Sequence, residues 1–275
     1  MLKQRVITAI ILAVVFLAAL FKLPLPLFSA FIATVVLIAA WEWANLSGLS
    51  KVWQRTAYVI LIASVLALSA YVTHNFDGSN ADVSKAILMA GCLWWAIALL
   101  WVQSYPGSAM LWGSRWFKAI MGMAVLIPTW LAFSYLRAQS SGAWLILIVV
   151  LIVACADIGA FFSGKALGKH KLAPAVSPGK SWEGFWGGMF SCVLLAIAIA
   201  VLADVSMLAT LAIIIPAGLA SVLGDLLESM VKRQRGIKDS SRLLPGHGGV
   251  LDRVDSLTAA APVFALAMSL SDWSL

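Results

Sequence analysis

The segment SRLLPGHGGVLDRVDS, residues 241–256, concentrates side chains that can bind metal ions and phosphates in a chain that is otherwise mostly apolar. Asp252 and Asp255 are three residues apart, so on the first turn of a helix their carboxylates share one face. Carboxylate oxygens are hard ligands, which suit Mg²⁺ better than Zn²⁺ or Cu²⁺. The glycine-rich turn before them, residues 245–249, lets the backbone approach a ligand closely and exposes N–H groups that can hold a phosphate.

A third acid, Asp225, precedes this segment in GDLLESMVKR, residues 224–233. On a helix the spacing i, i+3, i+4 and i+7 places four polar residues on one face: Asp225, Glu228, Ser229 and Lys232. A Glu228–Lys232 pair alone is common at a helix end, but it does not explain Asp225, which lies one turn deeper in an apolar run. Asp225 therefore joins Asp252 and Asp255 as a candidate oxygen ligand.

The stretch between these acids is basic. Its cations can donate hydrogen bonds to phosphate oxygens: Lys232, Arg233, Arg235, Lys238 and Arg242. A basic cluster beside a membrane helix often only meets anionic lipid, but an anionic surface would repel the interleaved aspartates. Mixed acids, bases and glycines therefore predict a site for a metal ion and a polyphosphate. The sequence leaves three roles for His247: a general base, a hydrogen-bond donor to phosphate, or a turn residue.

A second polar segment, GKALGKHKLAPAVSPGKSWEG, spans residues 164–184. It offers lysines that can meet phosphates: Lys165, Lys169, Lys171 and Lys180. Ser177-Pro178-Gly179 predicts a turn, and Ser181 followed by Trp182-Glu183 predicts the start of a helix. Asp157 lies about two turns before this segment in an apolar run, and we interpret it as a ligand or as a partner for a loop lysine.

The elements that position these residues are membrane helices. The chain has 275 residues, of which 62% are hydrophobic and 11% charged, whereas a soluble domain carries about 25% charged residues. A bilayer solvates so much apolar surface directly. Stretches such as ITAIILAVVFLAAL, residues 7–20, lack the alternation of a membrane β-barrel strand. The composition predicts an all-α, polytopic integral membrane protein.

Apolar runs predict about nine transmembrane helices, near 6–21, 27–44, 57–72, 86–102, 119–136, 143–163, 185–203, 207–227 and 257–271. The first and last runs are the weakest, so eight spans remain open. With the N-terminus inside, the outer side keeps only Lys22, Lys85 and Arg137 of the 19 basic residues, as the positive-inside rule asks. Basic loops at an anionic leaflet then explain most of the net charge of +7, so a nucleic-acid partner is not needed to account for it.

This topology divides a single membrane domain, residues 1–275, into N-terminal helices, 1–142, and a catalytic half, 143–275. The catalytic half carries two cytoplasmic loops, 164–183 and 228–256, on one side of the membrane. Glu42, in AAWEWAN near an inner helix end, is interpreted as an interfacial carboxylate within an aromatic belt.

The polar segments resemble a known family. SMVKRQRGIKDSSRLLPGHGGVLDRVDS, residues 229–256, resembles the signature of phosphatidate cytidylyltransferase, or CDP-diacylglycerol synthase. Residues 157–184 are similar to a second block of that family, with one departure: Gly179 stands where the family commonly has lysine. The residues before Asp157 resemble the family mainly in hydropathy.

The resemblance implies an all-helical membrane enzyme that makes CDP-diacylglycerol and pyrophosphate from CTP and phosphatidic acid, for phospholipid biosynthesis. It implies Mg²⁺ held by Asp225, Asp252 and Asp255, and it leaves open a second cation and a homodimer. Lys232 and Arg253 complete the implied catalytic set. Substrate contacts are expected from Asp157, Ser177, Lys180, Glu228, Ser229, Arg233, Lys238, Asp239, His247, Gly248 and Gly249. The expected location is a bacterial-type cytoplasmic (inner) membrane, with the active site facing the cytoplasm.

Other function classes explain less of the sequence. A secondary transporter of an anionic solute would also carry intramembrane acids and lysines, but it does not require a Gly-His-Gly-Gly turn followed by two acids. A CDP-alcohol phosphotransferase would carry a longer aspartate motif, which is absent from the sequence. A structural scaffold leaves the costly membrane acids unexplained.

Overall fold

The computed structural model describes residues 2–73, 81–271 and 273. The helices of this part of the chain are α1 Leu2–Lys22, α2 Leu25–Leu46, α3 Val52–Val72, α4 Ala81–Gln103, α5 Ala109–Trp112, α6 Arg115–Ala138, α7 Gly142–Leu167, α8 Trp182–Leu202, α9 Met207–Arg235 and α10 Leu251–Ser269. Two short strands, β1 Lys171–Ala173 and β2 Ser177–Ser181, form an antiparallel hairpin. The predicted all-α architecture is confirmed, with this hairpin as the addition.

Each predicted apolar run overlaps one of the long helices. Within the described residues, seven helices are long and apolar enough to cross a membrane: α2, α3, α4 from Asp82, α6, α7, α8 and α9. α1 contributes a shorter apolar stretch, Val6–Lys22. α10 lies outside this set, and it begins with the charged residues Asp252, Arg253 and Asp255. The polytopic membrane class is confirmed, while the orientation in the membrane stays a prediction.

α6 lies at the centre of the bundle. Within its most apolar stretch 72% of the residues are buried, against 22% in α3. Helices in a bilayer associate through close packing and interhelical hydrogen bonds, and α6 has both. Thr129 Oγ1 donates to the carbonyl of Thr258 in α10 at 3.1 Å, and Trp130 Nε1 donates to the carbonyl of Ser29 in α2 at 3.0 Å. α6 thereby joins the N-terminal helices to the helix that carries Asp252 and Asp255.

α9 and α10 approach each other closely at the acidic positions. A Cβ atom added at Gly224 would lie 2.5 Å from the carbonyl oxygen of Asp255, a distance that real Cβ atoms do not show. Glycine is therefore required for this approach. The contact places Asp225, the next residue of α9, beside the start of α10.

The segment 164–183 is not a plain loop. α7 continues to Leu167, and β1 pairs with β2 through Lys171 opposite Ser181 and Ala173 opposite Ser177. The turn therefore falls at residues 174–176, and the prediction of a turn at Ser177-Pro178-Gly179 is wrong. The pairing is irregular between these two residue pairs, so Pro178 and Gly179 lie in a bulged part of β2, where a missing N–H is tolerated.

Two details of the polar segments complete the fold. The predicted helix start at Ser181 is confirmed, since its Oγ accepts a hydrogen bond from the N–H of Gly184 at 3.1 Å. Segment 228–256 was predicted as one loop, but it is helical at both ends. α9 runs to Arg235 and ends at Gly236, whose φ of 74° provides the left-handed cap. The irregular part, which we call the signature loop, is residues 236–250.

Candidate active site

A cavity of about 370 Å³ lies where α7, the end of α9, the signature loop and the start of α10 meet. We call it the charged chamber. It is lined by Asp157, Asp225, Ser229, Lys232, Arg233, Lys238, Asp239, Asp252, Arg253, Asp255 and Ser256. Every lining residue except Ser256 was predicted from the sequence as a site residue. The clustering supports the chemistry proposed for these residue types, which combines oxygen ligands with phosphate-binding cations.

Several predicted residues lie outside the lining of the charged chamber. His247 and Gly248 line a neighbouring polar cavity of about 580 Å³, and this cavity shares Lys238, Asp239 and Arg253 with the chamber. We call it the loop cavity. Ser177 lies at the start of β2. Three other predicted residues do not line the chamber but each contacts a residue that does: Lys180, Glu228 and Gly249.

The two polar segments lie on the same side of the bundle, as predicted. Lys180 Nζ is 2.7 Å from Asp225 Oδ2, and Arg233 Nε donates to the carbonyl of Val176 at 3.2 Å. The Asp225 carboxylate also accepts a hydrogen bond from Ser229 Oγ at 3.2 Å. The hairpin is thereby fixed against α9 beside the charged chamber.

Lys232 is held between two carboxylates of the protein. Its Nζ donates to Glu228 Oε2 at 2.6 Å and to Asp252 Oδ1 at 2.8 Å. The Glu228 side chain is only 2% exposed, and a buried charge is tolerated only when it is paired. Lys232 therefore joins α9 to α10, and its positive charge is largely committed to these two acids.

Two other cations of the chamber are uncommitted. Among the described residues, the side chains of Lys238 and Arg253 form no hydrogen bond or ion pair. Both line the charged chamber and the loop cavity. Their charges are available for phosphate oxygens of a ligand.

Asp252 is saturated with hydrogen bonds from the protein. Its carboxylate accepts from Lys232 Nζ at 2.8 Å, from Ser240 N and Ser240 Oγ at 3.0 Å each, and from Gly249 N at 2.7 Å. These donors come from α9 and from both ends of the signature loop. Asp252 thereby ties the loop to α10.

The arrangement fits only part of the predicted metal site. Within the described residues, no group of three or more His, Cys, Asp or Glu side chains could hold a metal ion. Mg²⁺ in nucleotide sites usually binds one or two carboxylates together with substrate phosphates. Asp225 and Asp255 line the chamber and fit that pattern. Asp252 fits it poorly, because Lys232 Nζ and the N–H groups of Ser240 and Gly249 already donate to its oxygens.

The glycines of the signature loop pack against acids of the protein. A Cβ atom at Gly249 would lie 2.6 Å from both carboxylate oxygens of Glu42 and nearer still to Ser240 Oγ. The Gly249 N–H is committed to Asp252, so the interpretation of Gly249 as a phosphate donor is not supported by its contacts. Gly249 instead allows the loop to close over Glu42.

Glu42 is the residue that sequence reasoning placed wrongly. It was interpreted as an interfacial carboxylate, but it is 2% exposed and accepts hydrogen bonds from four donors in and beside the signature loop. The two neighbouring tryptophans differ in burial: Trp41 is exposed, as an aromatic belt requires, whereas Trp43 is buried. The sequence did contain a signal for this burial. Glu42 is a lone acid in an apolar helix, and placing a charged side chain there costs free energy unless it has partners.

A second cavity of about 370 Å³, here called the lateral cavity, adjoins the charged chamber and shares Asp157 with it. Gly179 and Lys180 line it. A Cβ atom at Gly179 would have no heavy atom within 4 Å. The position where the resembling family commonly has lysine is therefore open space.

The comparisons with known proteins show the family of the chain. The model of the cytidylyltransferase family matches residues 3–271. The chain belongs to the cytidylyltransferase family. A curated family member from Pseudomonas aeruginosa, named phosphatidate cytidylyltransferase, is 46% identical over 276 residues, which cover 99% of each chain. A protein of the same name from Haemophilus influenzae is 38% identical and covers 96% of this chain and 98% of its own. The family relationship extends over the N-terminal helices as well as the polar segments.

Proposed function

We propose that the protein transfers a cytidylyl group from CTP to phosphatidic acid and releases pyrophosphate and CDP-diacylglycerol, for phospholipid biosynthesis. The observation that carries the proposal is the charged chamber, where carboxylates and uncommitted cations meet beside membrane helices. Curated relatives that cover the whole chain are named for this activity. They give no support to the alternative of a secondary transporter.

The reaction is a nucleophilic displacement at the α-phosphorus of CTP. A phosphate oxygen of the lipid attacks the α-phosphorus of CTP, the bond from that phosphorus to the bridging oxygen breaks, and pyrophosphate leaves with the bond electrons. The attacking phosphate is already ionised near neutral pH, so no general base is needed. Catalysis then depends on positioning and on neutralising charge.

The chain offers the groups for that task. Arg253 and Lys238 are uncommitted cations at the border of the charged chamber and the loop cavity, and we assign them to the phosphates of CTP. Lys180 lines the lateral cavity and is ion-paired with Asp225 of the chamber. We assign it to the lipid phosphate, since it joins the two cavities.

We further propose that the enzyme depends on Mg²⁺, with Asp225 and Asp255 as its protein ligands. A bound Mg²⁺ neutralises charge on phosphate oxygens. Asp252 is assigned to holding the signature loop, because its oxygens are occupied. The site is proposed to face the cytoplasm of a bacterial-type inner membrane, as the distribution of basic residues predicts.

The test is product analysis with the purified protein in detergent. With CTP, Mg²⁺ and phosphatidic acid, thin-layer chromatography should show CDP-diacylglycerol. Diacylglycerol, which lacks the attacking phosphate, should give none. Two variants with the same loss of charge are compared in this assay, Asp255→Asn and Asp82→Asn. Product formation should fall in Asp255→Asn and stay unchanged in Asp82→Asn, because Asp82 is exposed at the start of α4, away from the chamber lining. Absence of the lipid product with the wild-type protein would overturn the proposal.

A further inference from the structure

We infer that Glu42, in the N-terminal half of the chain, is a positioning residue that holds the signature loop and the first turn of α10 in the arrangement the reaction requires. The inference rests on the proposed function, since it concerns the residues assigned to that reaction. Glu42 does not line the charged chamber. It acts through residues that do.

The contacts of Glu42 form a symmetric set in which each carboxylate oxygen accepts one serine hydroxyl and one backbone N–H. Oε1 accepts from Ser241 Oγ at 2.5 Å and from Val250 N at 3.1 Å. Oε2 accepts from Ser240 Oγ at 3.1 Å and from Leu251 N at 2.7 Å. One side chain of α2 thus holds both the beginning and the end of the loop segment 240–251.

Two of these bonds cap a helix from a distant part of the chain. The first N–H groups of a helix have no partner within it, and those of Val250 and Leu251 stand at the start of α10. A carboxylate there also meets the positive end of the helix dipole. The next residues of α10 include Asp252, Arg253 and Asp255, so Glu42 fixes the direction in which this turn presents them.

A third bond connects Glu42 to Asp252. Ser240 Oγ lies 3.1 Å from Glu42 Oε2 and 3.0 Å from Asp252 Oδ2. A hydroxyl has one proton, so the two carboxylates share a single donor. Asp252 in turn binds Lys232 of α9. The polar chain runs from α2 through the loop to both helices that form the charged chamber.

Substitution by glutamine cannot preserve this set of contacts. A carboxamide has one oxygen acceptor, and its nitrogen only donates. Because each carboxylate position faces a backbone N–H, the amide nitrogen opposes either the Val250 N–H or the Leu251 N–H, whichever way the amide is turned. One buried donor at the start of α10 is left without a partner, and such a loss is expensive.

The decisive experiment measures turnover per folded molecule for Glu42→Gln, together with KM for CTP and for phosphatidic acid. Displacing reacting groups by about 1 Å can cost about 100-fold in rate, so we expect kcat to fall by about that factor. The KM values should change much less, because Glu42 lies outside the lining of the charged chamber, the loop cavity and the lateral cavity. Asp82→Asn, the same acid-to-amide change at an exposed position, should leave all three constants unchanged.

A double variant separates positioning from a general loss of folded protein. If Glu42 acts by placing the start of α10, Glu42→Gln should cost little further activity when Asp255→Asn is already present. A purely structural role predicts the same proportional loss in both backgrounds. Equal losses, or wild-type kcat in Glu42→Gln, would overturn the inference while leaving the proposed function intact.

A milder variant keeps the test open if Glu42→Gln does not fold. Ser241→Ala removes one of the four donors and leaves the helix cap in place. We expect kcat per folded molecule to fall, but by less than in Glu42→Gln, because the N–H groups of Val250 and Leu251 keep their acceptors. Unchanged kcat in Ser241→Ala would then reject the inference. Failure of the wild-type protein to make CDP-diacylglycerol would instead reject the proposed function.

Discussion

Lys180 Nζ lies 2.7 Å from Asp225 Oδ2, and this contact joins the hairpin to α9 at the point where the lateral cavity meets the charged chamber. The side chains are 26% and 30% exposed, so a ligand can reach both. The acid that we propose as a metal ligand and the cation that we assign to the lipid phosphate thereby lie side by side.

Lys180 should matter far more than its neighbours in the same segment. Removing a donor aimed at a reacting phosphate costs about 100-fold or more in kcat, so Lys180→Ala should lower the maximal rate strongly. Lys169→Ala is the matched control, because an exposed lysine contributes only about 1 kcal/mol of attraction to an anionic membrane. Equal, small effects that disappear when anionic lipid is added would show that the segment is only an electrostatic surface.

The asparagine variants of Asp225, Asp252 and Asp255 should differ in how their reaction rates depend on the Mg²⁺ concentration. Asp225→Asn and Asp255→Asn should each weaken apparent Mg²⁺ affinity or activity by about 10- to 100-fold, the usual cost of changes at a metal site. Asp252→Asn should lower the thermal stability of the protein, with a smaller change in the Mg²⁺ requirement, since it ties the signature loop to α10. Wild-type Mg²⁺ curves for both Asp225→Asn and Asp255→Asn would place the metal elsewhere.

Two glycine substitutions test the packing of the signature loop. Gly249→Ala puts a methyl group against Glu42 and Ser240, and overpacking of this kind costs about 1–3 kcal/mol. We expect lower thermal stability and lower activity. Gly179→Ala enters open space and should change neither. A fully active, equally stable Gly249→Ala variant would show that the loop is not held closely against α2.

Gly179→Lys tests the departure from the family pattern. The position faces open space at the lateral cavity, so the longer side chain should be accommodated. A second cation beside Lys180 should lower the apparent KM for phosphatidic acid at low ionic strength and leave the KM for CTP unchanged. The difference should shrink as salt is added, because screening weakens exposed charges. A rise in KM for the lipid would contradict this placement.

Much of this arrangement could be predicted because charges are scarce in the chain. The acids and bases of α9 and α10 stand out in apolar surroundings, and six of the eight line the charged chamber. Their partners could not be predicted in the same way. Glu42 and Ser240 are 198 residues apart, and only the packing of α2 beside α10 brings them together. The hydrogen bonds that Asp252 accepts likewise depend on where the loop folds, so its contact with both Ser240 and Gly249 could not be predicted.

The orientation in the membrane follows from the charge distribution alone and needs its own measurement. Single cysteines at Ser50 and Ser140, in a background without Cys92, Cys155 and Cys192, should react with a membrane-impermeant reagent from opposite sides. Ser50 lies between α2 and α3 and should be cytoplasmic, while Ser140 lies between α6 and α7 and should be outside. Labelling of both from the same side would overturn the topology.

The most direct test of the central claim follows two phosphorus atoms of CTP in one reaction. Purified protein, phosphatidic acid and Mg²⁺ are supplied with CTP labelled at the α-phosphorus in one sample and at the γ-phosphorus in another. Attack at the α-phosphorus predicts that the α-label moves into the organic-extractable lipid, while the γ-label appears as pyrophosphate in equal amount. Release of the γ-label as orthophosphate, or an α-label that stays with the water-soluble nucleotide, would contradict cytidylyl transfer.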